Sequence, residues 1–128
     1  EVQASILEGM EKRYILGLTL LGGEPFEPEN QPAVLALCRA VREKFPEKTI
    51  WCYSGYTLET DILAGRLGPK DITMELLGQL DVLVDGEFHL EEKDPSLRFR
   101  GSRNQRIIDV KKTLETGETV LWDGRKEP

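Results

Sequence analysis

The fold is decided by the stretch Leu18-Thr19-Leu20-Leu21-Gly22-Gly23-Glu24-Pro25, an apolar run that stops at two glycines, an acid and a proline. The run predicts a buried strand, and the glycines predict its exit. Gly22 and Gly23 can adopt positive φ and let a ligand approach the backbone, while Pro25 cannot continue a ladder. Small ligands bind at the carboxyl ends of strands in open parallel sheets, so this is a candidate ligand loop with Glu24 as its polar group. An ordinary strand-to-helix turn explains the same residues equally well.

Strands and helices alternate along the first two thirds of the chain. Helical spacing of apolar residues follows the first strand, with Pro32 in the first turn and Pro46 after the last. The predicted elements are a helix at 4–12, a strand at 14–21, a helix from 28–30 to 45, a strand at 49–53, a helix at 57–63 capped by Thr57, a helix at 73–80 and a strand at 81–85. This β-α-β-α-β order with right-handed crossovers predicts a parallel sheet covered by helices.

Small polar residues and glycine recur where the second and third strands end. Ser54-Gly55-Tyr56 follows one strand and Asp85-Gly86 the other, so both exits are further candidate ligand loops. No G-x-G-x-x-G follows a strand and no G-x-x-x-x-G-K is present, which removes the main support for a dinucleotide or P-loop site.

Composition excludes several classes of partner. The 128 residues suit one domain, and a net charge of −6 argues against nucleic acid or an anionic membrane. No apolar run approaches the ~20 residues of a membrane span. Cys38 and Cys52 fall on apolar faces of a helix and a strand, are interpreted as core residues, and suit a reducing cytoplasm.

The last third is more polar. Residues 94–96 predict a turn, residues 97–100 alternate like an exposed strand, residues 107–110 predict a strand, 111–115 a turn or helical segment, and 119–122 a final strand. Arg98, Arg100 and Arg103, with Arg106 beyond, form a local basic cluster that is either a solvated face or a site for an anionic group or acidic partner. His89 is interpreted as a surface residue rather than a base, without a metal-spaced partner.

Five segments of the chain carry a resemblance to a known family: Gly-Gly-Glu-Pro at 22–25, Trp-Cys-Tyr-Ser-Gly-Tyr-Thr at 51–57, Leu-Val-Asp-Gly-Glu-Phe at 83–88, Asp-Pro-Ser-Leu-Arg-Phe-Arg-Gly-Ser at 94–102 and Asn-Gln-Arg-Ile-Ile-Asp-Val at 104–110. Together they resemble the anaerobic ribonucleoside-triphosphate reductase activating proteins, which are radical S-adenosylmethionine enzymes of the glycyl-radical activase group. The resemblance covers residues 14–122, and the last two segments are the most specific to this family.

The resemblance implies a fold, a reaction and partners. The fold would be a partial (βα) barrel with a parallel sheet and helices outside, the chain forming one domain (residues 1–128) that is the C-terminal portion of such an activase. A reduced 4Fe-4S cluster would cleave S-adenosylmethionine, and the resulting 5′-deoxyadenosyl radical would abstract a glycine hydrogen from the reductase's glycyl-radical subunit. The electron donor would be a protein such as flavodoxin, and the location cytoplasmic.

The resemblance also implies site residues. The methionine end of the cofactor would contact Gly22, Gly23, Glu24 and Pro25. Ser54 and Gly55 would lie near its carboxylate or ribose, with Val84 and Asp85 in the third strand's part of the site. The partner would contact Arg98, Arg100, Arg103 and Asn104. No catalytic residue and no metal ligand is assigned within this chain.

Two departures from the family qualify these expectations. The family's Cys-x3-Cys-x2-Cys motif, which precedes the Gly-Gly-Glu-Pro strand, has no match here, and three thiolates are the minimum for its cluster. The first βα unit is therefore expected to be missing and the chain inactive alone. Glu87 stands where a neutral or basic residue is expected. The alternatives are a cluster-free relative that binds a nucleoside or docks a partner, and an unrelated doubly wound α/β binding domain.

Overall fold

The computed structural model describes residues 15–16, 24–46, 49–87, 89–97 and 102–122. Four strands and three helices lie in this part of the chain. In chain order they are β1 (Ile15–Leu16), α1 (Gln31–Lys44), β2 (Trp51–Tyr53), α2 (Lys70–Gln79), β3 (Val82–Asp85), β4 (Arg106–Asp109) and α3 (Val110–Thr116). A π-helical turn (Leu58–Ile62) and a 3-10 turn (Leu90–Glu92) complete the described elements. The predicted helix at 4–12, the loop glycines Gly22 and Gly23, and residues 98–100 of the predicted exposed strand lie outside the described residues.

The four described strands form one sheet in the order β1-β2-β3-β4. The pairs β1–β2 and β2–β3 are parallel, as the alternating pattern predicts, with Leu16 opposite Cys52 and Cys52 opposite Leu83. β4 is antiparallel to β3, with Leu83 opposite Ile108, so a wholly parallel sheet is the wrong prediction for this strand. The connection from β3 to β4 carries one 3-10 turn and no described α-helix, and a connection without a crossover helix brings the chain back antiparallel.

The helix α1 is the element that local signals predict best. Its buried residues follow helical spacing, Pro32 stands in the first turn, and the helix ends one residue before Phe45. Buried Gln31 ties its start to the rest of the domain: Nε2 donates to the carbonyls of Phe26 (2.7 Å) and Leu67 (2.8 Å), and Oε1 accepts from the Thr73 hydroxyl (2.8 Å). Gln31 therefore connects Phe26, in the loop before α1, with Leu67 and Thr73 from a distant part of the chain.

The described helices share one face of the sheet. Cys52, Leu83 and Ile108 point into a core that contains the apolar faces of α1 and α2 and also Val110 of α3. The opposite face has a smaller cluster of Trp51, Val82 and Val84, against which Trp122 packs. The rings of Trp51 and Trp122 meet edge to face with centroids 4.9 Å apart.

Three local predictions differ from the structure. The helix expected at 57–63 is a π-helical turn, and the Thr57 side chain forms no cap; instead the Thr57 N–H donates to the Asp61 carboxylate (2.9 Å). α2 begins three residues earlier than expected, directly after Pro69. The strand expected at 119–122 is reduced to a single bridge between Ile108 and Leu121.

None of the helices in the described part of the chain is long and apolar enough to cross a membrane.

Candidate functional site

Glu24 lies at the centre of the site. Its carboxylate accepts hydrogen bonds from the loop before α1 and from the loop that follows β2. Oε2 accepts from the Phe26 N–H (2.9 Å) and the Ser54 hydroxyl (2.7 Å), and Oε1 accepts from the Gly55 N–H (2.5 Å). Its carbonyl accepts from the Asn30 side-chain amide (2.9 Å). A carboxylate oriented by backbone donors is preorganised, and Oε1 keeps a lone pair for a further donor.

The exit of β2 is joined to the exit of β3 by backbone hydrogen bonds. The Ser54 N–H donates to the Val84 carbonyl (3.0 Å), and the Gly86 N–H donates to the Tyr56 carbonyl (3.1 Å). Gly86 has a φ of 100°, in the region that favours glycine, which lets the chain leave β3 sharply. The two exits therefore form one continuous wall.

Asp85 ends β3 with a fully engaged carboxylate. The side chain is 1% exposed and accepts from Arg106 at both oxygens, Nε to Oδ1 (3.0 Å) and Nη2 to Oδ2 (2.6 Å). Oδ2 also accepts from the Leu58 N–H (2.9 Å). Asp85 thus connects β3, β4 and the π-helical turn.

The same Arg106 guanidinium binds a second carboxylate. Nη1 and Nη2 donate to the two oxygens of Glu59 (3.0 and 2.5 Å), which also accepts from the Thr119 hydroxyl. Arg106 lowers the pKa of Glu59 to about 2, and the two carboxylates raise the pKa of Arg106 further above its usual range. Two carboxylates neutralise this one cation, so Arg106 contributes little positive potential to its surroundings.

These exits border an open cleft of about 640 Å³. Its lining is strongly acidic: the carboxylates are those of Glu24, Glu27, Asp61, Asp85 and Glu87. Tyr56 also lines it, and the hydrogen bond from its hydroxyl to the Glu27 carboxylate raises the pKa of Tyr56 to about 12. Since Arg106 is already paired, the cleft favours a ligand that carries positive charge.

The two cysteines lie in the core rather than in the cleft. Both are buried and free. Burial raises the pKa of Cys38 to about 12, and burial, with Cys38 as the second cause, raises the pKa of Cys52 well above its usual value. Metal ligands are thiolates, so these two thiols are poor ligands for an iron–sulfur cluster.

The sequence-predicted cofactor residues divide into three groups. Glu24, Gly55 and Asp85 line the cleft, and Ser54 is buried behind it as a donor to Glu24. Pro25 is buried beside Glu24, and Val84 points to the opposite sheet face with Trp51. Gly22 and Gly23 lie outside the described residues.

The predicted partner-binding residues divide in the same way. Asn104 lines the cleft, where its side-chain amide donates to the Glu87 carbonyl (2.7 Å). Arg103 is exposed, and its backbone N–H donates to the Glu92 carbonyl. Arg98 and Arg100 lie outside the described residues.

The structure adds Glu27, Asp61 and Arg106 to the predicted lining residues, and it places Tyr56, a member of the candidate loop Ser54-Gly55-Tyr56, beside Glu27. Tyr56 directly follows the Ser54-Gly55 exit, and this position was a usable signal. Arg106 was counted only with the basic cluster, because its partners Glu59 and Asp85 are 47 and 21 residues away in the chain.

Comparison with known proteins connects this geometry to a family. Residues 1–108 match the protein family described as "4Fe-4S single cluster domain". The chain is also similar to proteins named anaerobic ribonucleoside-triphosphate reductase-activating protein from several organisms, among them the following three. The one from Pasteurella multocida is 37% identical over 84% of this chain and 65% of its own length. The one from Vibrio cholerae is 47% identical over 71% and 54%, and the one from phage T4 is 39% identical over 77% and 56%.

The chain therefore spans roughly half to two thirds of the length of these curated relatives. No solved structure matches it.

Proposed function

The chain belongs to the 4Fe-4S single cluster domain family, and from this premise we propose that it forms the S-adenosylmethionine cleft of an anaerobic ribonucleoside-triphosphate reductase activating protein. In the proposed whole protein the sheet continues into a partial (βα) barrel, and the reaction is that of a radical S-adenosylmethionine enzyme. The observation that carries the proposal is the Glu24 carboxylate, oriented by three donors at the edge of an acidic cleft.

The charge of the cofactor fits the charge of the cleft. S-adenosylmethionine carries a sulfonium and an ammonium group, both positive, and one carboxylate. Glu24 would accept from the ammonium group, and Glu27 and Asp61 add negative potential along the same wall. Glu87, unexpected beside a cofactor carboxylate, suits the cationic part of the ligand instead.

The remaining site residues would shape the cleft. Ser54 and Gly55 orient Glu24, and Gly22, Gly23 and Pro25 would supply the backbone around the methionine end. Asp85 would form the β3 part of the site together with the backbone of Val84, whose carbonyl accepts from the Ser54 N–H. Because both oxygens of Asp85 are engaged, we infer that it acts through Arg106 and the Leu58 amide rather than by binding the cofactor.

The residues of this chain do not fit the iron–sulfur cluster that the family's description names. Two thiols are fewer than three, and both are buried with raised pKa values. We therefore propose that the chain by itself is inactive and that Cys38 and Cys52 are core residues.

The partners follow from the same proposal. When bound in the whole protein, S-adenosylmethionine would supply the radical chemistry that activates the proposed partner, the glycyl-radical subunit of the anaerobic reductase. A cytoplasmic electron donor such as flavodoxin would serve this protein. The segment with Arg98, Arg100, Arg103 and Asn104 would contact the reductase, and the position of Asn104 on the cleft supports this placement.

Calorimetric titration of the chain with S-adenosylmethionine tests the proposal. We expect saturable binding that is weaker for S-adenosylhomocysteine, which lacks the sulfonium charge. The Glu24→Gln change should weaken S-adenosylmethionine binding about tenfold or more, because a hydrogen bond to a charged group contributes about 1.5–3 kcal/mol. Exposed Glu29 does not line the cleft, so Glu29→Gln is the matched control and should leave the affinity unchanged.

Other outcomes would distinguish the alternatives. Adenosine that binds as tightly as S-adenosylmethionine, with no effect of Glu24→Gln, would favour the cluster-free nucleoside-binding domain. No binding of any of the three compounds would contradict the proposed cleft.

A further inference from the structure

A cluster of potential metal ligands lies on the 3-10 turn, at the rim of the cleft. His89 Nδ1 is 3.0 Å from Glu92 Oε2 and 3.9 Å from Glu91 Oε1. The three ligand atoms all lie within 4.8 Å of one another. His89 directly precedes the turn, and the hydrogen bond from the Glu92 N–H to the His89 carbonyl (3.0 Å) holds the two residues close together.

We propose that His89, Glu91 and Glu92 form a binding site for one divalent transition-metal ion. Zinc binds imidazole nitrogen and carboxylate oxygen at about 2.0–2.2 Å, which separates the ligands around one ion by roughly 3.4 Å in a tetrahedral site. The observed separations need only small rotations of exposed carboxylates to reach this value. Two carboxylates and a neutral imidazole balance the charge of a divalent cation.

A fourth side chain distinguishes this group from a simple acidic cluster. Glu87 Oε2 lies 3.8 Å from His89 Nε2, on the other side of the imidazole ring. When Nδ1 binds a metal, Nε2 carries the proton, and a carboxylate facing that proton fixes the tautomer and raises the basicity of the ligand. A metal at Nδ1 would replace the hydrogen bond that this nitrogen shares with Glu92, and Glu87 would then face the proton on Nε2.

The turn that carries the ligands is attached to the next segment of the chain. The His89 N–H donates to the Ser102 hydroxyl (3.2 Å), the Arg103 N–H donates to the Glu92 carbonyl (3.0 Å), and Lys93 bridges to Ser102. Because these bonds already fix the backbone of the turn, metal binding would cost little additional conformational entropy. The imidazole favours zinc, iron or nickel over magnesium and calcium, which prefer oxygen ligands alone.

Titration of the chain with Zn²⁺ tests this site, with calorimetry and NMR as readouts. His89 is the sole histidine in the sequence, so its ring proton signals are assigned without ambiguity. We expect one Zn²⁺ per chain and a shift of these signals that saturates at the same stoichiometry. His89→Ala should abolish the tight phase, and Glu92→Gln should weaken binding at least tenfold.

Two controls keep the result decisive. Glu115→Gln, an exposed glutamate on α3, should leave Zn²⁺ binding unchanged, and Mg²⁺ should not move the His89 signals. The proposal is overturned if the signals stay fixed at millimolar Zn²⁺, or if His89→Ala binds Zn²⁺ as tightly as the parent chain. The side chains changed are wholly or partly exposed, so loss of binding with an unchanged circular dichroism spectrum reports on the site rather than on folding. Zn²⁺ is titrated in the absence of S-adenosylmethionine, so failure of this site and failure of the proposed cofactor cleft are distinguishable results.

Discussion

At the scale of single residues, Arg106 provides the positive charge that pairs with two carboxylates beside the cleft, Asp85 and Glu59. Its guanidinium is about one third exposed, whereas its partner Asp85 is buried. A buried carboxylate that loses its cation retains the cost of desolvation without the attraction that offsets it. The Leu58 N–H would remain as a donor to Asp85, but it is a neutral group.

We expect Arg106→Gln to lower the free energy of unfolding by about 3 kcal/mol. Breaking a buried pair on one side costs about 3–5 kcal/mol, and the partial exposure of Arg106 favours the lower end of this range. Urea denaturation followed by circular dichroism measures the change. The exposed Arg66 provides the control, and Arg66→Gln should change stability by less than about 0.5 kcal/mol.

The pH dependence of stability provides a second readout for the same variant. The pKa of Glu59 is about 2 in the folded chain, below its usual 4.5, so its contribution is present above pH 4.5. It is lost as the pH falls from 4.5 to 2. This loss should be smaller in Arg106→Gln, because the first cause of the lowered pKa is the hydrogen bond from Arg106. An equal loss of unfolding free energy between pH 4.5 and 2 in the parent chain and in Arg106→Gln would contradict the role assigned to Arg106.

At the scale of secondary-structure elements, two helices use glycine in opposite ways. Gly78 is the next-to-last residue of α2, and a Cβ built on it meets no described atom within 4 Å apart from its chain neighbours and the backbone of the same helix. Gly117 follows α3 at φ 80° and ψ 3°, where its N–H donates to the Thr113 carbonyl (2.9 Å). The first position does not require glycine, whereas the second adopts the left-handed conformation that glycine favours.

We therefore expect alanine to change stability in opposite directions at these positions. Gly78→Ala should raise the free energy of unfolding by about 0.5–1 kcal/mol, because alanine has the higher helix propensity and restricts the unfolded chain. Gly117→Ala should lower it by about 1 kcal/mol, because a Cβ is strained at positive φ. Urea midpoints at equal m-values test both changes, and shifts of the same sign would contradict this account of the two helix positions.

At the scale of the whole molecule, the sheet brings the ligand loops together and keeps the thiols apart from them. Glu24, the exit of β2 and the exit of β3 border one cleft, while Cys38 and Cys52 lie in the core on the helix-covered face of the sheet. Reaching a cluster in the cleft would require both thiols to leave the core. The described architecture therefore separates the two thiols from the cleft.

Anaerobic reconstitution of the chain with iron and sulfide should give far less than one cluster per chain. Iron and acid-labile sulfide are quantified together, because the His89 site can retain iron without sulfide. A Cys52→Ala variant should show the same background, since its thiol is not a ligand. About four irons and four sulfides per chain, lost in Cys52→Ala, would contradict the proposal that the cysteines are core residues.

Local patterns in the sequence determined the order of elements and the points at which strands end. The bounds of α1 follow from helical apolar spacing, with prolines at each end, and the burial of β2 and β3 follows from continuous apolar runs. These signals act over a few residues. They placed Ser54, Gly55 and Asp85 at strand exits and indicated Glu24 as the polar group of a candidate loop, and the resemblance to a family is the source of the proposed cofactor.

Only the tertiary structure decided which of these groups meet and what each one binds. Glu24 is held by Ser54 and Gly55 from 30 and 31 residues away, and Asp85 is held by Arg106 across an antiparallel pair that the parallel pattern did not predict. Such pairings depend on which distant segments meet and on which charged side chain becomes buried. Neither of these is visible as a repeating pattern in the sequence. For the same reason His89 reads as an isolated polar residue in the sequence, and acquires its glutamate neighbours when a 3-10 turn brings them around the imidazole.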